Sequence, residues 1–379
     1  MGVEEEFVLV GPGSRAPVDR GPEVVESAAH VVGGQVQSEF FNAQVETVSQ
    51  PTASCQDLRD ELVRLRGAIA RAARAECCMP VATGVPPVPP ARPATVTDAR
   101  RYRRIAHHFA PHLPAIEDLL SGCHVHIGTL DRALALALSR RIAPWLPVLQ
   151  AVTANSPFAR CRDTGFDSWR SAAYASWPTV GPAPDLDESR YHAHVDALVR
   201  NGALVDRRTV YWHARPSEHV PTLEIRVADA NADVDTVVMY AALLRALAAT
   251  LLPDVLGQRP APKVPFRRLV LAHELAARHG PSGFGIDPYT GRERPATELV
   301  ERLIDRTLPA LDRTGDTDRV LGQWQHIRAR GAGAGLQRAD YRRRRRVTDV
   351  VDALAVLTVA ACGPGPQPPE ALDPGGERP

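Results

Sequence analysis

Three short stretches alternate polar and apolar side chains at the two-residue period of a half-buried strand. They are Gly2-Val-Glu-Glu-Glu-Phe7, Cys123-His-Val-His-Ile-Gly128 and Thr222-Leu-Glu-Ile-Arg-Val227. Strand side chains alternate faces, so Glu4 with Glu6, His124 with His126, and Glu224 with Arg226 project on one side. Val125, Ile127, Leu223, Ile225 and Val227 project on the other. Carboxylates, imidazoles and a guanidinium pooled on one face make a poor core. They make a good cradle for metal ions and phosphate.

The remaining pattern predicts the following elements. The first strand, Val3 to Val10, runs into a turn at Gly11-Pro12-Gly13, and a second extended run covers Glu39 to Ser49 with Gln44 and Glu46 on one face. Ser54 caps a helix lasting to about Ala75, with Leu58, Leu62, Leu65 and Ile69 at helical spacing. Residues 81–93 form a proline-rich loop, and 98–120 are helical but broken at Pro111 and Pro114. Pro144 and Pro147 kink a helix running from Asp131 towards Ala154. The long, weakly periodic region Asn155 to Pro184 carries Arg160, Arg162, Asp163, Arg170 and Trp177 and reads as functional loops.

A strand at 209–214 leads into Arg215-Pro-Ser217 and pairs antiparallel with the Leu-Glu-Ile-Arg-Val strand. A long apolar helix follows over 234–252, and the rest is helical with arginine-rich connections. Residues 1–361 form the folded unit, and 362–379, rich in proline and glycine, a disordered tail. Strands separated by helices without βαβ alternation predict an α+β fold, an antiparallel sheet with helices on one side.

Composition narrows the partners. Hydrophobic residues make up 44% of the 379, and the net charge is +1, as in a soluble globular protein with no global pull towards nucleic acid or membrane. Lys263 is the only lysine, so a surface arginine here carries little meaning. Arg342 to Arg346 accordingly read as a solvated turn or as anchors for neighbouring acids. The six cysteines form no Cys-x-x-Cys pair, which reads as free thiols of a reducing compartment, the cytoplasm, with Cys123 in the core.

Taken singly, the polar pairs have bland readings. Glu4 and Glu6 are surface carboxylates near a terminus, His124 and His126 are structurally bonded histidines, and Glu224 with Arg226 is a weak ion pair. Taken together, Glu4, Glu6, Glu46, His124 and Glu224 supply oxygen donors with one nitrogen, which suits Mg²⁺ or Mn²⁺ better than structural zinc. Arg226 beside them suits a phosphate oxygen. The sequence has no P-loop, no Gly-x-Gly-x-x-Gly after a strand and no Gly-x-Ser-x-Gly, so a nucleotide would be held by metal bridging and arginines. A metal-dependent hydrolase activating water, and a nucleotide-binding protein without turnover, are the alternatives.

Further motifs then fall into order. Gly-Val-Glu-Glu-Glu-Phe (2–7), Gln-Val-Glu (44–46), Arg-Tyr (101–102), Cys-His-Val-His-Ile-Gly (123–128) and Ala-Asn-Ser-Pro-Phe (154–158) are followed by Arg-Asp-Thr-Gly-Phe (162–166), Arg-Pro-Ser (215–217) and Thr-Leu-Glu-Ile-Arg-Val-Ala-Asp (222–229). The series resembles the ATP-dependent carboxylate–amine ligases related to type-two glutamate–cysteine ligase, within the glutamine synthetase-like superfamily.

The resemblance implies a curved antiparallel half-barrel with helices on its outer face, binding ATP and two or three Mg²⁺ ions on the concave side. It implies Glu4, Glu6, Glu46, His124 and Glu224 as metal ligands, and Arg226, Glu46 and His124 at the reacting centre. His126, Asn155, Arg160, Arg162, Arg170 and Arg215, with Arg226, would line the nucleotide or substrate side. The implied partners are a small carboxylic acid and an amine, joined through an acyl phosphate, and the oligomer it allows is a homodimer. Two departures predict an altered substrate pocket. His213-Ala214-Arg215 stands where relatives read Asp-Ile-Arg, and Gly84-Val-Pro-Pro87 stands where they read Gly-Thr-His-Pro.

Overall fold

The computed structural model describes residues 1–110 and 119–363. Strand β1 (Gly2–Val10) sits at the centre of a seven-stranded sheet. On one side of it lie β3 (Gln44–Val48) and then β2 (Val36–Ser38). On the other lie β5 (Gly122–Gly128), β9 (Thr222–Asp229) and β8 (Ala214–Pro216), and β4 (Met79–Val81) pairs with the far end of β1. Every pairing is antiparallel and the sheet does not close. The α+β expectation holds. Strands β6 (Phe158–Ala159) and β7 (Arg162–Asp163) form a separate hairpin, as do β10 (Phe284–Ile286) and β11 (Glu293–Pro295), which the sequence pattern did not indicate.

Register explains how the polar face assembles. Glu4 stands opposite His124, Glu6 opposite Glu46, His126 opposite Glu224, and Glu224 opposite Arg215. Directly opposed residues share a face, so the pairing carries one polar row across four strands and beyond. The β5–β9 ladder slips between Cys123 and Val125, and β9 takes the extra residue there. Arg226 therefore lies in a β-bulge, a device that re-aims a side chain beside a site.

The opposite face is the core. Val3, Val125, Ile127, Leu223, Ile225 and Val227 pack with the helix Val234–Leu256 and with the helices Arg132–Ile142 and Leu146–Val152. Val234–Leu256 is apolar almost all round, and 72% of its most apolar stretch is buried inside the protein, as befits a central helix. The helix Cys55–Ala75 covers Phe7, Leu9 and Val45, and Ser54 caps it by accepting the Asp57 N–H at 3.1 Å, as its spacing predicted. The prolines at 144 and 147 do interrupt their helix, through a 3-10 turn at Ala143–Trp145.

Four expectations need correction. The run Glu39–Ser49 is a reversal followed by a strand. Asn42 donates its N–H to the Thr95 carbonyl and accepts the Gly21 N–H at its own carbonyl, so the chain leaves the ladder there. The strand expected at 209–214 begins at Ala214: a capped 3-10 turn takes Arg207–Thr209, and Tyr211 and His213 donate their N–H groups to Thr179 Oγ1 and the Gly181 carbonyl. The region Asn155–Pro184 holds the β6–β7 hairpin and a helix at Trp169–Tyr174. A 3-10 turn, Ala360–Cys362, carries regular structure one residue past the expected tail boundary. Residues 364–379 of that tail, with Pro111 and Pro114, lie outside the described residues. Of the arginine run, Arg342–Arg344 close the helix Gly333–Arg344 and only Arg345 and Arg346 form the turn to the next helix, while Arg344 does anchor an acid, Asp349, at 2.9 Å.

Candidate active site

The polar face of β1, β3, β5 and β9 floors a cavity of about 410 Å³. Three sets of donor atoms stand on it, each mutually within 4.8 Å: Glu4, Glu46 and His124; Glu4, His126 and Glu224; Glu6, Glu39 and Glu46. Glu4 belongs to the first two sets and Glu46 to the first and third. His124 Nδ1 and His126 Nε2 each approach Glu4 at 3.2 Å, from two different strand positions. His126 Nδ1 is tied to Thr222 Oγ1 at 2.8 Å, which orients Nε2 into the cavity. Glu6 Oε2 accepts the Gly122 N–H at 2.6 Å, leaving Oε1 for the site.

His124 Nε2 is buried without a hydrogen-bond partner and lies 3.7 Å from Glu6 Oε1. A buried lone pair of this kind beside oxygen donors is the arrangement a small hard cation completes. The donor chemistry therefore fits Mg²⁺ or Mn²⁺.

Charge divides the site into two parts. At Glu39, burial and then the charge of Glu6 push the carboxyl up to about 8. At Glu46, burial and then Glu4, Glu39 and Glu6 push it well above the carboxylate range. This corner gathers negative charge with little to offset it. Around Arg226 the balance reverses. Burial opposes ionisation of Glu4 and Glu224, yet His124 and His126 hold Glu4 low, and Arg215 with Arg226 holds Glu224 low. Arg215 grips Glu224 through Nε at 2.9 Å and Nη2 at 3.2 Å. Arg226 donates to Glu224 from one nitrogen of its fork, which also stands 3.4 Å from His124 Nδ1. Burial and the Arg226 charge lower His124, whereas Glu4 and Glu224 raise His126 against its burial.

The cavity brings together Glu4, Glu6, Glu46, His124, His126, Arg170, Arg215, Glu224 and Arg226 of the predicted set. Arg170 is buried, and a Cβ on Gly122 would come within 2.5 Å of its Nη2 and 3.1 Å of His124 Nε2. Glycine there leaves the room in which those two groups approach each other.

Asn155, Arg160 and Arg162 do not line the cavity. The Asn155 amide donates to the carbonyls of Ala82 at 3.1 Å and Ala230 at 2.7 Å and accepts from Gln337 at 2.8 Å, so it staples the core. Arg160 and Arg162 lie exposed on the β6–β7 hairpin.

Neither departure lines the cavity. Val85 and Pro86 are buried in the loop after β4. His213 packs on His273, ring centroids 4.1 Å apart, and burial with the Arg170 charge pushes it down to about 3. It borders a separate cavity of about 20 Å³ behind Tyr174, Tyr211 and Arg226. Strand alternation missed Glu39, which stands in the reversal between β2 and β3, and it missed an aromatic wall brought by Phe40, Tyr102, Tyr174 and Tyr211.

Comparison with known proteins gives the family. The family model described as glutamate-cysteine ligase family 2 matches residues 1–352. A Saccharopolyspora erythraea protein named "Putative glutamate--cysteine ligase 2-1" is 41% identical over 363 residues, covering 95% of this chain and 94% of its own. The fold resembles that of a Francisella tularensis glutamate–cysteine ligase crystallised with AMP, with a TM-score of 0.72, 12% identity, and 96% of this chain and 88% of that one covered. It also resembles a bifunctional glutathione synthetase from Pasteurella multocida, with a TM-score of 0.69, 16% identity, and 95% of this chain but 52% of that one covered. By the match across nearly its whole length, the chain belongs to glutamate-cysteine ligase family 2.

Proposed function

We propose that this protein joins a small carboxylic acid to an amine in two steps, through an acyl phosphate, releasing ADP and phosphate. It is an ATP-dependent ligase that forms carbon–nitrogen bonds. The observation that carries the finer reading is the set of three linked donor clusters with the Arg226 fork at their edge.

In the first step a carboxylate oxygen of the acid attacks the γ-phosphorus of ATP, and the bond from that phosphorus to the bridging oxygen breaks. In the second, the amine nitrogen attacks the acyl carbon, the bond to the phosphate oxygen breaks, and the nitrogen loses a proton. Glu4, Glu6, Glu39, Glu46, His124 and Glu224 would hold Mg²⁺ or Mn²⁺. When bound, such ions offset charge on the phosphoryl oxygens and align them. Arg226 presents a planar fork to the transferring group, held in place by Glu224 and by its position in the bulge. Arg170, buried beside Gly122, adds a second cation to the same side.

Both substrates are small molecules. The six cysteines are free thiols, consistent with action in the cytoplasm. Hydroxylamine supplied in place of the amine traps the acyl phosphate as a hydroxamate, with one ADP released per hydroxamate. AMP and pyrophosphate as products would remove the acyl-phosphate reading. Hydrolysis that proceeds without ATP would favour the metal-dependent hydrolase instead.

A further inference from the structure

The wall facing the carboxylate floor is aromatic. The chain has only 8 phenylalanines, 7 tyrosines and 5 tryptophans, yet Phe40, Phe41, Tyr102, Tyr174, Trp177 and Tyr211 all border this one cavity. Three of them form a triangle. Tyr174 and Tyr211 have ring centroids 5.7 Å apart, Trp177 and Tyr211 6.1 Å, and Tyr174 and Trp177 6.4 Å. The triangle abuts the phosphate-side cations. The Arg226 guanidinium carbon lies 5.9 Å from the centre of the Tyr211 ring, and that of Arg170 lies 5.7 Å from the centre of Tyr174.

Position decides which reactant meets this wall. On the ligase reading, on which this inference rests, Arg226 holds the transferring phosphoryl group, and the acid must bring its carboxylate to that phosphorus. A ribose and two further phosphates separate the nucleobase from the same atom. Rings packed against Arg226 therefore face the body of the acid and not the adenine.

Charge decides what that body is. The phenols of Tyr174 and Tyr211 are pushed up by burial and stay neutral. Among the described residues six carboxylates line the cavity, and five of them stand in the donor clusters. The sixth, Glu218, is engaged by Arg132 at 2.7 Å and by the Tyr191 hydroxyl at 2.9 Å. Among the described residues, no further carboxylate lines the cavity for an α-ammonium group on the acid to meet. An apolar ring meets three rigid rings, which supply large contact area at low entropic cost.

We propose that Tyr174, Trp177 and Tyr211 form the subsite for the non-reacting body of the acid, and that this body is an uncharged aromatic ring. The preferred acid is an aryl carboxylate and not glutamate.

The test uses 3-phenylpropionate and glutamate as probe acids, hydroxylamine as the amine, and the full chain with Mg²⁺ and ATP. The aryl acid should give the higher kcat/KM for ADP release. Tyr211→Leu and Tyr174→Leu should each raise its KM about tenfold, the scale of a lost apolar contact in a pocket, and leave the KM for ATP unchanged. Tyr211→Phe should behave as the parent. Preference for glutamate, or a KM change confined to ATP or to the amine, overturns the assignment.

Calorimetric titration of 3-phenylpropionate into the protein with Mg²⁺ and ADP reads the subsite without turnover. Binding that is lost in Tyr211→Leu keeps the subsite even if no acid supports ADP release, which would sink the ligase reading alone. Absence of binding to the parent protein sinks the subsite.

Discussion

On β1, Glu5 reaches through the sheet to Arg66, which meets its two carboxylate oxygens at 2.5 and 3.1 Å with both side chains buried. The remaining N–H groups of Arg66 go to the carbonyls of Asn231, Ala232 and Thr358, so this one pair ties the first strand to the end of β9 and to the last helix. Glu4 and Glu6, one residue to either side, stand on the other face among carboxylates and imidazoles.

The same side chain, on consecutive residues, is satisfied in one place and left in want of a counter-charge in the other. A buried pair with complete hydrogen bonding fixes architecture. Like charges gathered on one face cost stability, and the proposed chemistry is what would require them there. Removing a partner should therefore unfold one face and disarm the other.

The largest effect is expected on the core face. Arg66→Leu strands Glu5 in the interior and should cost about 3–5 kcal/mol of stability in urea titrations, whereas Glu5→Leu combined with Arg66→Met should recover much of that loss. A loss as small as that of a surface pair would show that water reaches Glu5. On the cavity face, Glu6→Gln, Glu46→Gln and His124→Ala should lower turnover about a thousandfold, at or beyond what one lost transition-state donor costs. Their melting temperatures without divalent cation should stay level or rise, since each change relieves repulsion or burial. Unfolded variants would place these residues with Glu5, on the architectural side of the contrast.

Arg226→Lys tests whether shape or charge matters at the boundary between the two parts of the site. It keeps the charge but loses the fork, and turnover should fall on the order of a hundredfold. Near-parental rates in the lysine variant would reduce Arg226 to a counter-ion for Glu224.

The smallest effect is in pH. Glu39, pushed up to about 8 from 4.5, and Glu46, raised well above the carboxylate range, hold protons in the folded state that the unfolded chain has released. Their contribution to stability is full below the unfolded carboxyl range and is lost as pH rises through the raised folded values, about 8 for Glu39. Glu4 and Glu224 are shifted the other way and act only on the acid side, where stability falls with pH. Without divalent cation the melting temperature should therefore decline between pH 5 and pH 8, and Mg²⁺ should flatten the decline. A flat profile without metal would mean that Glu39 and Glu46 are ionised and solvated in the folded protein.

The cavity face was largely legible in the sequence because alternation is a local rule. It places Glu4, Glu6, His124, His126, Glu224 and Arg226 on one side before any contact is known, and register then stacks them. What it does not carry is anything made by a reversal or by distance. Glu39 enters the site only because the chain turns back between β2 and β3. Glu5 meets Arg66 across 61 residues, and nothing at either position announces the partner. Asn155, Arg160 and Arg162 drew attention through the motifs around them, but the tertiary fold uses the first as a staple and points the others outward. The bulge that sets Arg226 appears only when two strands are aligned.

Glu4 and Glu46 each stand in two donor sets. On the proposed reading, neighbouring cation positions that share a carboxylate would not load independently: a first ion would order the shared group for the second, while its charge would discourage the second from approaching. Occupancy would then be a sequence of coupled equilibria, and the triphosphate, which brings its own negative charge, would act as a heterotropic effector of metal loading as well as a reactant. By reciprocity, whatever factor the nucleotide adds to the affinity of the last cation, that cation returns to the nucleotide.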